Sequence, residues 1–235
     1  MIKGLENASR SMLEKMRNLQ IVANNLANIN TTGYKREIPF TEYVRRGENQ
    51  PTLQLTDFTE GSLIETDNPF DLAITGKGFF AIKTNRGVEL TKNGKFKVSE
   101  DGYLVTDDNE KVLGRSGEIN FYENITGKNK DVKITANGEI KVDGNIVDQL
   151  MIVKMPAQKN LVRTENQKYY LPDNNYTPAE NKDFSIKQGF LEESNTNPVI
   201  EMQAMIQLEK DYEAAQKMVA SMDNLMSKSR EIGKV

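Results

Sequence analysis

Cysteine, histidine and tryptophan are all absent from this chain of 235 residues. Without cysteine or histidine it has no thiolate nucleophile, no disulfide, no imidazole base and none of the usual zinc ligands. The 31 lysine and arginine residues nearly balance the 34 aspartate and glutamate residues, so no basic excess indicates a nucleic-acid partner. Apolar runs of membrane-spanning length are missing as well. We therefore expect no metal, no cofactor, no nucleic-acid partner and no membrane insertion.

Carboxylates are the side chains that remain for acid–base chemistry. The candidates for a glycosidase-like pair are Asp67, Asp71, Glu100, Asp101, Asp107 and Asp108. Most of them fall at predicted turns, where aspartate is common for local backbone reasons. The run Gly76-Lys77-Gly78 lacks the spacing of a phosphate-binding loop. The sequence therefore predicts no catalytic residues, and we expect that the chain is not an enzyme.

What the chain does have is a long helical pattern at each end. Near the start, one apolar set recurs every seven residues and a second set interleaves with it. The first set is Leu5, Met12, Leu19 and Leu26, and the second is Ser9, Met16 and Ala23. The pattern predicts a helix from about Lys3 to Ile29, ending before Gly33, which can take a left-handed conformation. A strict repeat of seven predicts a narrow seam that packs against another helix.

The C-terminal pattern has a clear beginning and a wider apolar face. Asn197 suits the N-cap position, Pro198 suits the first helical position, and the pattern runs to about Ile232 before Gly233. Its seam is Met205, Tyr212, Val219 and Met226, with Leu208, Ala215 and Met222 between them. The residues that widen this stripe are Met202, Ile206, Met218 and Leu225. A wider stripe can contact more than one neighbouring helix.

Short strands and turns fill the middle of the chain. Four dipeptides mark tight turns: Asn93-Gly94, Asp101-Gly102, Asn137-Gly138 and Asp143-Gly144. Such dipeptides suit two-residue hairpin loops, because both of their residues can take positive φ. The predicted fold class is α+β: long N- and C-terminal helices form an antiparallel coiled-coil-like pair, with a central mainly antiparallel β domain. The predicted domains are an N-terminal helix (1–33), an extended docking segment (34–63), the β domain (64–191) and a C-terminal helix (192–235).

Three blocks of sequence, in this order, resemble the bacterial flagellar rod and hook protein family. The first comprises Ala23-Asn24-Asn25-Leu26-Ala27-Asn28 and Thr31-Thr32-Gly33-Tyr34. The second comprises Asn68-Pro69-Phe70-Asp71-Leu72-Ala73-Ile74 with Gly76, Gly78, Phe79 and Phe80. The third comprises Gln188-Gly189, Leu191-Glu192, Ser194-Asn195, Asn197, Met205-Ile206 and Tyr212-Glu213. The chain departs from the family pattern at Glu209-Lys210 and at Pro198.

The resemblance implies a structural subunit of the flagellar basal-body rod that assembles helically through its terminal helices into a torque-transmitting shaft. Its implied partners are copies of itself, other rod and hook proteins, and the flagellar export apparatus. The N-terminus lacks a secretory pattern, which by the usual rule indicates a cytosolic chain. The resemblance implies instead an axial rod protein of the basal body that is exported without a cleaved signal peptide. The short stretch between Gly33 and Ile64 favours a proximal rod protein, and a distal rod or hook subunit is the alternative.

The residues expected at the assembly interface come from both helices and the first block. They are Leu5, Met12, Met16, Leu19, Ala23, Asn24, Asn25, Leu26, Asn28, Gly33, Met202, Met205, Ile206, Leu208, Tyr212, Ala215, Val219, Met222 and Met226. We expect neighbouring subunits to satisfy the carboxamides of Asn24 and Asn28. A less favoured alternative is a β-rich surface- or carbohydrate-binding module on a coiled-coil stalk. Its candidate aromatic residues are Phe79, Phe80, Tyr103, Tyr169 and Tyr170.

Overall fold

The computed structural model describes residues 2–39, 42, 55–121, 131–154, 161–173 and 175–232. The chain divides into two compact units. We call them the helical unit (Met1–Asn28, Glu37–Leu55 and Thr196–Val235) and the β unit (Ile29–Arg36 and Thr56–Asn195). A helix at each end and a mostly antiparallel β domain between them confirm the predicted α+β class. The predicted docking segment, residues 34–63, is shared between the two units, and residues 43–54 of it lie outside the described part.

The helical unit contains the two long helices, α1 (Ile2–Ala27) and α2 (Pro198–Ile232). Asn197 caps α2 as predicted: its Oδ1 accepts hydrogen bonds from the backbone N–H of Val199 at 3.0 Å and of Ile200 at 3.3 Å. Gly233, the predicted end of this helix, lies outside the described residues. No helix in the described part combines the length and the apolar character that crossing a membrane requires.

The described residues also form one short 3-10 helix, Glu165–Gln167, and eighteen short strands. They are β1 (Glu37–Ile38), β2 (Leu55–Thr56), β3 (Leu63–Glu65), β4 (Leu72–Gly76), β5 (Gly78–Thr84), β6 (Gly87–Thr91), β7 (Phe96–Val98), β8 (Leu104–Thr106), β9 (Lys111–Gly114), β10 (Gly117–Glu118), β11 (Val132–Ile134), β12 (Glu139–Val142), β13 (Asn145–Gln149), β14 (Ile152–Lys154), β15 (Val162–Arg163), β16 (Tyr169–Tyr170), β17 (Phe184–Gln188) and β18 (Phe190–Glu192).

The largest sheet has nine strands, seven of them in the order β15-β16-β6-β5-β9-β8-β7, with β10 beside β9 and β14 beside β5. A three-stranded sheet (β11-β12-β13) and the pairs β17-β4, β18-β3 and β1-β2 accompany it. Every ladder whose register is described is antiparallel.

β5 is buried on both faces, and its side chains alternate between two apolar cores. Phe80 and Ile82 belong to the larger core, whereas Phe79 and Ala81 belong to the smaller one with Tyr169. This alternation is the period of two that a strand imposes on its side chains. Since β5 also pairs with β6, β9 and β14, it is the strand around which the β unit is built.

The four turn dipeptides do not share one geometry, which corrects the prediction. Asp143-Gly144 is a two-residue hairpin turn in which both residues have positive φ, 50° and 87°. In Asp101-Gly102 and Asn137-Gly138, positive φ is confined to the glycine, at 80° in each, within a longer loop. Asn93-Gly94 joins β6 to β7, which do not pair with each other, and neither of its residues has positive φ.

Glycine at position 94 is required by a close backbone approach rather than by a turn. The Leu72 N–H of β4 donates to the Gly94 carbonyl at 2.9 Å, which brings the two backbones together. A Cβ at this position would lie 1.6 Å from the Leu72 carbonyl oxygen, which no side chain can tolerate. The dipeptide pattern therefore marked the right glycine for the wrong physical reason.

Candidate assembly surface

α1 and α2 pack against each other in opposite directions. Three contacts define the direction: a Cβ on Gly4 would lie 3.9 Å from Met222 Cε, Lys15 Nζ lies 3.4 Å from Asp211 Oδ2, and Asn25 Nδ2 lies 3.1 Å from Glu201 Oε2. The two residue numbers in each pair add up to the same total. The register between the helices is therefore regular along the seam.

The face that α2 turns toward α1 is its predicted seam. Its members are half-buried and alternate between spacings of four and three residues: Met205, Leu208, Tyr212, Ala215, Val219 and Met222. Glu201 lies one helical turn before Met205 on the same face of α2, and it is fully buried. On α1 the corresponding half-buried residues are Met12, Leu19, Ala23 and Leu26. Val22 is fully buried among them.

A second set of large apolar side chains on the same helices points away from the seam. Val199, Met202 and Ile206 are 56%, 46% and 54% exposed and lie three and four residues apart, on one face of α2. We call these three residues the outer stripe. Leu13 and Met16 on α1, and Met218 and Leu225 on α2, are also exposed. Clustered apolar side chains that face water mark surfaces that bind other proteins.

The remaining predicted interface residues fall into three groups. Met16, Asn24, Met202 and Ile206 are exposed. Asn25, Asn28 and Gly33 have hydrogen bonds within the chain. The side chains of Leu5 and Met226 lie outside the described part of the chain.

Asn25 is the polar centre of the helical unit. Its carboxamide is fully buried, donates from Nδ2 to the Glu37 carbonyl at 2.8 Å and to Glu201 Oε2 at 3.1 Å, and accepts from the Glu37 N–H at 2.9 Å. Each polar atom of the carboxamide is thus bonded within the subunit. Asn25 therefore fixes the position of β1 and the first turn of α2 against α1.

That neighbouring subunits satisfy the carboxamides of Asn24 and Asn28 stays a prediction. Asn28 Nδ2 donates to the Asn24 carbonyl at 2.8 Å, and the Asn28 N–H donates to the same carbonyl at 3.2 Å, so Asn28 closes the last turn of α1. Asn24 is exposed. The asparagine run that looked like one interface motif therefore contains one buried connector, one helix cap and one surface residue.

The chain enters the β unit through Ile29–Arg36, which we call the incoming segment, and leaves it through Phe190–Asn195, the outgoing segment. Gly33, at φ 68°, donates from its N–H to the Glu192 carbonyl at 2.7 Å. The Arg36 N–H donates to Asn195 Oδ1 at 2.8 Å. Residues of the first and third sequence blocks are thus hydrogen-bonded to each other.

A buried ion pair joins the same two segments. Lys35 Nζ lies 2.6 Å from Glu192 Oε1, and their side chains are 0% and 1% exposed. Lys35 also donates to the Thr59 carbonyl at 2.7 Å, and the Gly61 N–H donates to Glu192 Oε1 at 2.9 Å. The sequence analysis missed Lys35 as a functional residue, although it directly follows Tyr34 in the first block. Its partner could not be inferred because the two residues are 157 positions apart.

Lys92 is a second buried lysine near this pair. Its Nζ donates to the Gly76 carbonyl at 3.1 Å and lies 5.5 Å from the centre of the Phe79 ring. Burial lowers the pKa of Lys92 from 10.5 to about 8; the Glu192 carboxylate opposes this shift and the charge of Lys35 adds to it. Lys35 and Lys92 therefore both lie near the Glu192 carboxylate, and Glu60 is a further acidic neighbour of Lys92.

Four of the side chains considered for other functions have structural roles. Asp71 accepts hydrogen bonds from Thr66 Oγ1 and Asn68 Nδ2 at 2.8 and 2.9 Å, and this shapes the turn before β4. Phe79, Phe80 and Tyr169 are buried in the two cores. Among the described residues, no group of three or more acidic side chains could hold a metal ion.

Comparisons with known proteins agree across the whole chain. Family models match at residues 5–35 ("Flagella basal body rod protein"), 73–142 ("Flagellar hook protein FlgE/F/G D1 domain") and 187–232 ("Flagellar basal body rod FlgEFG protein C-terminal"). The chain is 33% identical to the flagellar basal-body rod protein FlgF of Caulobacter vibrioides, over 91% of this chain and 89% of that protein. It is 31% identical to FlgF of Mesorhizobium japonicum (84% and 83% covered) and 29% identical to FlgG of Agrobacterium fabrum (96% and 97% covered).

Proposed function

The chain belongs to the flagellar basal-body rod protein family, and from that premise we propose that it joins the rod by packing the outward faces of its terminal helices against neighbouring subunits. As a member of this family it is a structural subunit of the basal-body rod and not an enzyme. Its partners are other rod and hook proteins. The single observation that carries the proposed mode of assembly is the outer stripe of α2.

The helix pair is coiled-coil-like. Support for this comes from the alternating spacing of four and three residues along the half-buried face of α2 and from the constant register against α1. Pairing within the subunit uses one face of α2, so the outer stripe remains available. Helical assembly of copies along an axis would bury it.

Energetics favour the outer stripe as a contact surface. Burying apolar surface stabilises by about 25 cal/mol per Å², so covering three half-exposed large side chains on each subunit stabilises assembly by a few kcal/mol per contact. Small contributions of this kind add up in a shaft, because every subunit meets several neighbours. The partners that fit are helices with apolar faces of their own, namely copies of this chain and related rod and hook subunits.

The test compares Ile206→Asp with Gln216→Asp. Both positions are exposed on α2, both variants gain the same charge, and Gln216 is not within four residues of the outer stripe. In Ile206→Asp, each contact loses apolar burial and must desolvate a carboxylate, which weakens it by more than about 3 kcal/mol. We expect Ile206→Asp to be missing from purified basal bodies and to abolish motility, whereas Gln216→Asp assembles. Hydrogen exchange of the monomer should be the same for both.

Normal assembly of Ile206→Asp would refute the role of the outer stripe.

Substitutions in the seam have a different effect: Leu26→Asp, Met205→Asp and Val219→Asp should expose the helices to exchange in the monomer and block assembly, while the β unit stays folded. In the unaltered monomer we expect faster exchange in α1 and α2 than in β5. Helices as protected as β5 would contradict ordering on assembly.

Within the rod we assign the chain to the proximal part, with a distal rod or hook position as the alternative. The short connection between Gly33 and Ile64, about 30 residues, supports this assignment. A proximal subunit should persist in basal bodies from cells that lack the distal rod and hook proteins, and a distal or hook subunit should not. The chain reaches the basal body through the flagellar export apparatus, and its recovery from basal bodies of cells in which export is blocked would refute this.

A further inference from the structure

The incoming and outgoing segments are anchored on the β unit in different ways. The outgoing segment includes β18, which pairs with β3 so that Glu192 faces Leu63 in the ladder. The incoming segment belongs to no strand before Glu37. It is held by hydrogen bonds such as Gly33 N–H to the Glu192 carbonyl and Arg163 Nη1 to the Lys35 carbonyl at 3.0 Å, and by the buried Lys35–Glu192 ion pair.

We propose that the Lys35–Glu192 ion pair is a latch that holds the incoming segment on the β unit and thereby makes the pairing of α1 with α2 depend on a folded β unit. A buried ion pair adds little net stability, but it determines which two side chains meet, because burying either charge without the other is costly. The latch forms when β3 and β18 have brought Glu192, Thr59 and Gly61 together. Its two charges come from opposite ends of the β unit's sequence.

Loop closure gives the size of the effect. Asn25 and Glu201, which meet in the helix pair, are 176 residues apart. With the latch closed, about 20 residues of free chain separate them, because the chain is held at Lys35 and Glu192. With the incoming segment released, the next anchor on the N-terminal side is Asp57, whose carbonyl accepts from Asn195 Nδ2 at 2.8 Å, and the free chain is about 40 residues. The probability of closing a loop falls with the three-halves power of its length, so the latch strengthens helix pairing about threefold.

The experiment is hydrogen exchange on the full-length monomer of Lys35→Met, with Lys168→Met as the matched control. Lys168 is also a buried lysine of the β unit and pairs with Asp108 and Glu110, but it lies outside both segments. We expect Lys35→Met to lower the protection of α1 and α2 about threefold and to leave β5 unchanged. Lys168→Met should leave α1 and α2 unchanged.

A covalent substitute for the latch distinguishes tethering from general destabilisation. Thr32 Oγ1 donates to Asn93 Oδ1 at 2.9 Å, and the chain has no cysteine, so Thr32→Cys/Asn93→Cys can form a single disulfide. In the Lys35→Met background, oxidation should restore the protection of α1 and α2, and reduction should remove it. If Lys35→Met itself disturbs β5, the same cysteine pair in the unaltered chain gives the test: oxidation must raise protection of the helices but not of β5.

Three results would overturn the latch. One is equal helix protection in Lys35→Met and the unaltered chain. Another is a disulfide whose redox state does not change helix protection. The third is an unaltered monomer in which neither helix is protected at all, because the latch would then have no pairing to support.

Discussion

Replacing Asn25 by leucine tests whether the asparagine motif works inside the subunit or between subunits. Leucine has the same branched shape as asparagine but can neither donate nor accept a hydrogen bond. The substitution removes two bonds to the backbone of Glu37 and one to the carboxylate of Glu201, all within a fully buried site. If Asn25 acts within the chain, the helical unit loses stability before any subunit meets another.

The magnitude follows from the three bonds. Removing the partner of a buried polar group costs about 1–3 kcal/mol, and bonds to a charged group are at the upper end of that range. Some of this cost is recovered by relaxation, so the loss for Asn25→Leu is on the order of 5 kcal/mol. A helix pair that protects its amides only moderately cannot absorb a loss of that size. We therefore expect α1 and α2 to exchange freely while β5 keeps its protection.

Asn24→Leu is the control, because Asn24 is the exposed neighbour in the same motif. Its effect on monomer stability should be within about 0.5 kcal/mol. Hydrogen exchange by mass spectrometry on both variants, followed by recovery of each from basal bodies, shows whether Asn25 acts within the subunit or between subunits. If Asn25→Leu left the monomer as stable as Asn24→Leu but still blocked rod assembly, the carboxamide would act between subunits and the intrachain reasoning would be refuted.

Two further predictions concern the β unit. Since the pKa of Lys92 is about 8 when folded and 10.5 when unfolded, the unfolded chain binds more protons between these values, and stability rises with pH across this window. Between pH 8 and 10.5, the free energy of unfolding in urea should rise by up to about 3 kcal/mol more for the unaltered chain than for Lys92→Met. The same pH dependence of this free energy in both chains would refute a lowered pKa. Gly94→Ala should destabilise the β unit by more than about 3 kcal/mol, because its Cβ would overlap the Leu72 carbonyl oxygen; a near-native melting temperature would contradict this.

Sequence reasoning predicted best where the physics is local. The cap at Asn197 and the positive φ of Asp143 and Gly144 each depend on a few consecutive residues, and both are confirmed. The seam of α2 follows from a repeat of seven, and those of its side chains that the structure describes are half-buried. Whether this seam is also an interface between subunits is a separate prediction. A seam that packs against α1 in the same subunit has the same spacing as one that packs against a helix of another subunit.

The prediction for Asn93-Gly94 was wrong because two different constraints favour the same dipeptide. A hairpin turn needs glycine for its positive φ, whereas a close backbone approach needs it for the missing Cβ. The first constraint can be read from neighbouring residues. The second depends on β4, which lies some twenty residues away along the chain, so only the packed sheet distinguishes them.

The order of residues along this chain determined its two long helices, its strands and its membership of the rod family, since periodicity, caps and motif blocks are properties of neighbouring positions. The tertiary structure decided which polar groups meet. Lys35 and Glu192, 157 residues apart, form a buried pair, and Asn25 is bonded to Glu37 and Glu201. The physical reason is that a buried charge or amide is tolerated only where the fold delivers a partner, and that partner belongs to the three-dimensional arrangement rather than to the local sequence.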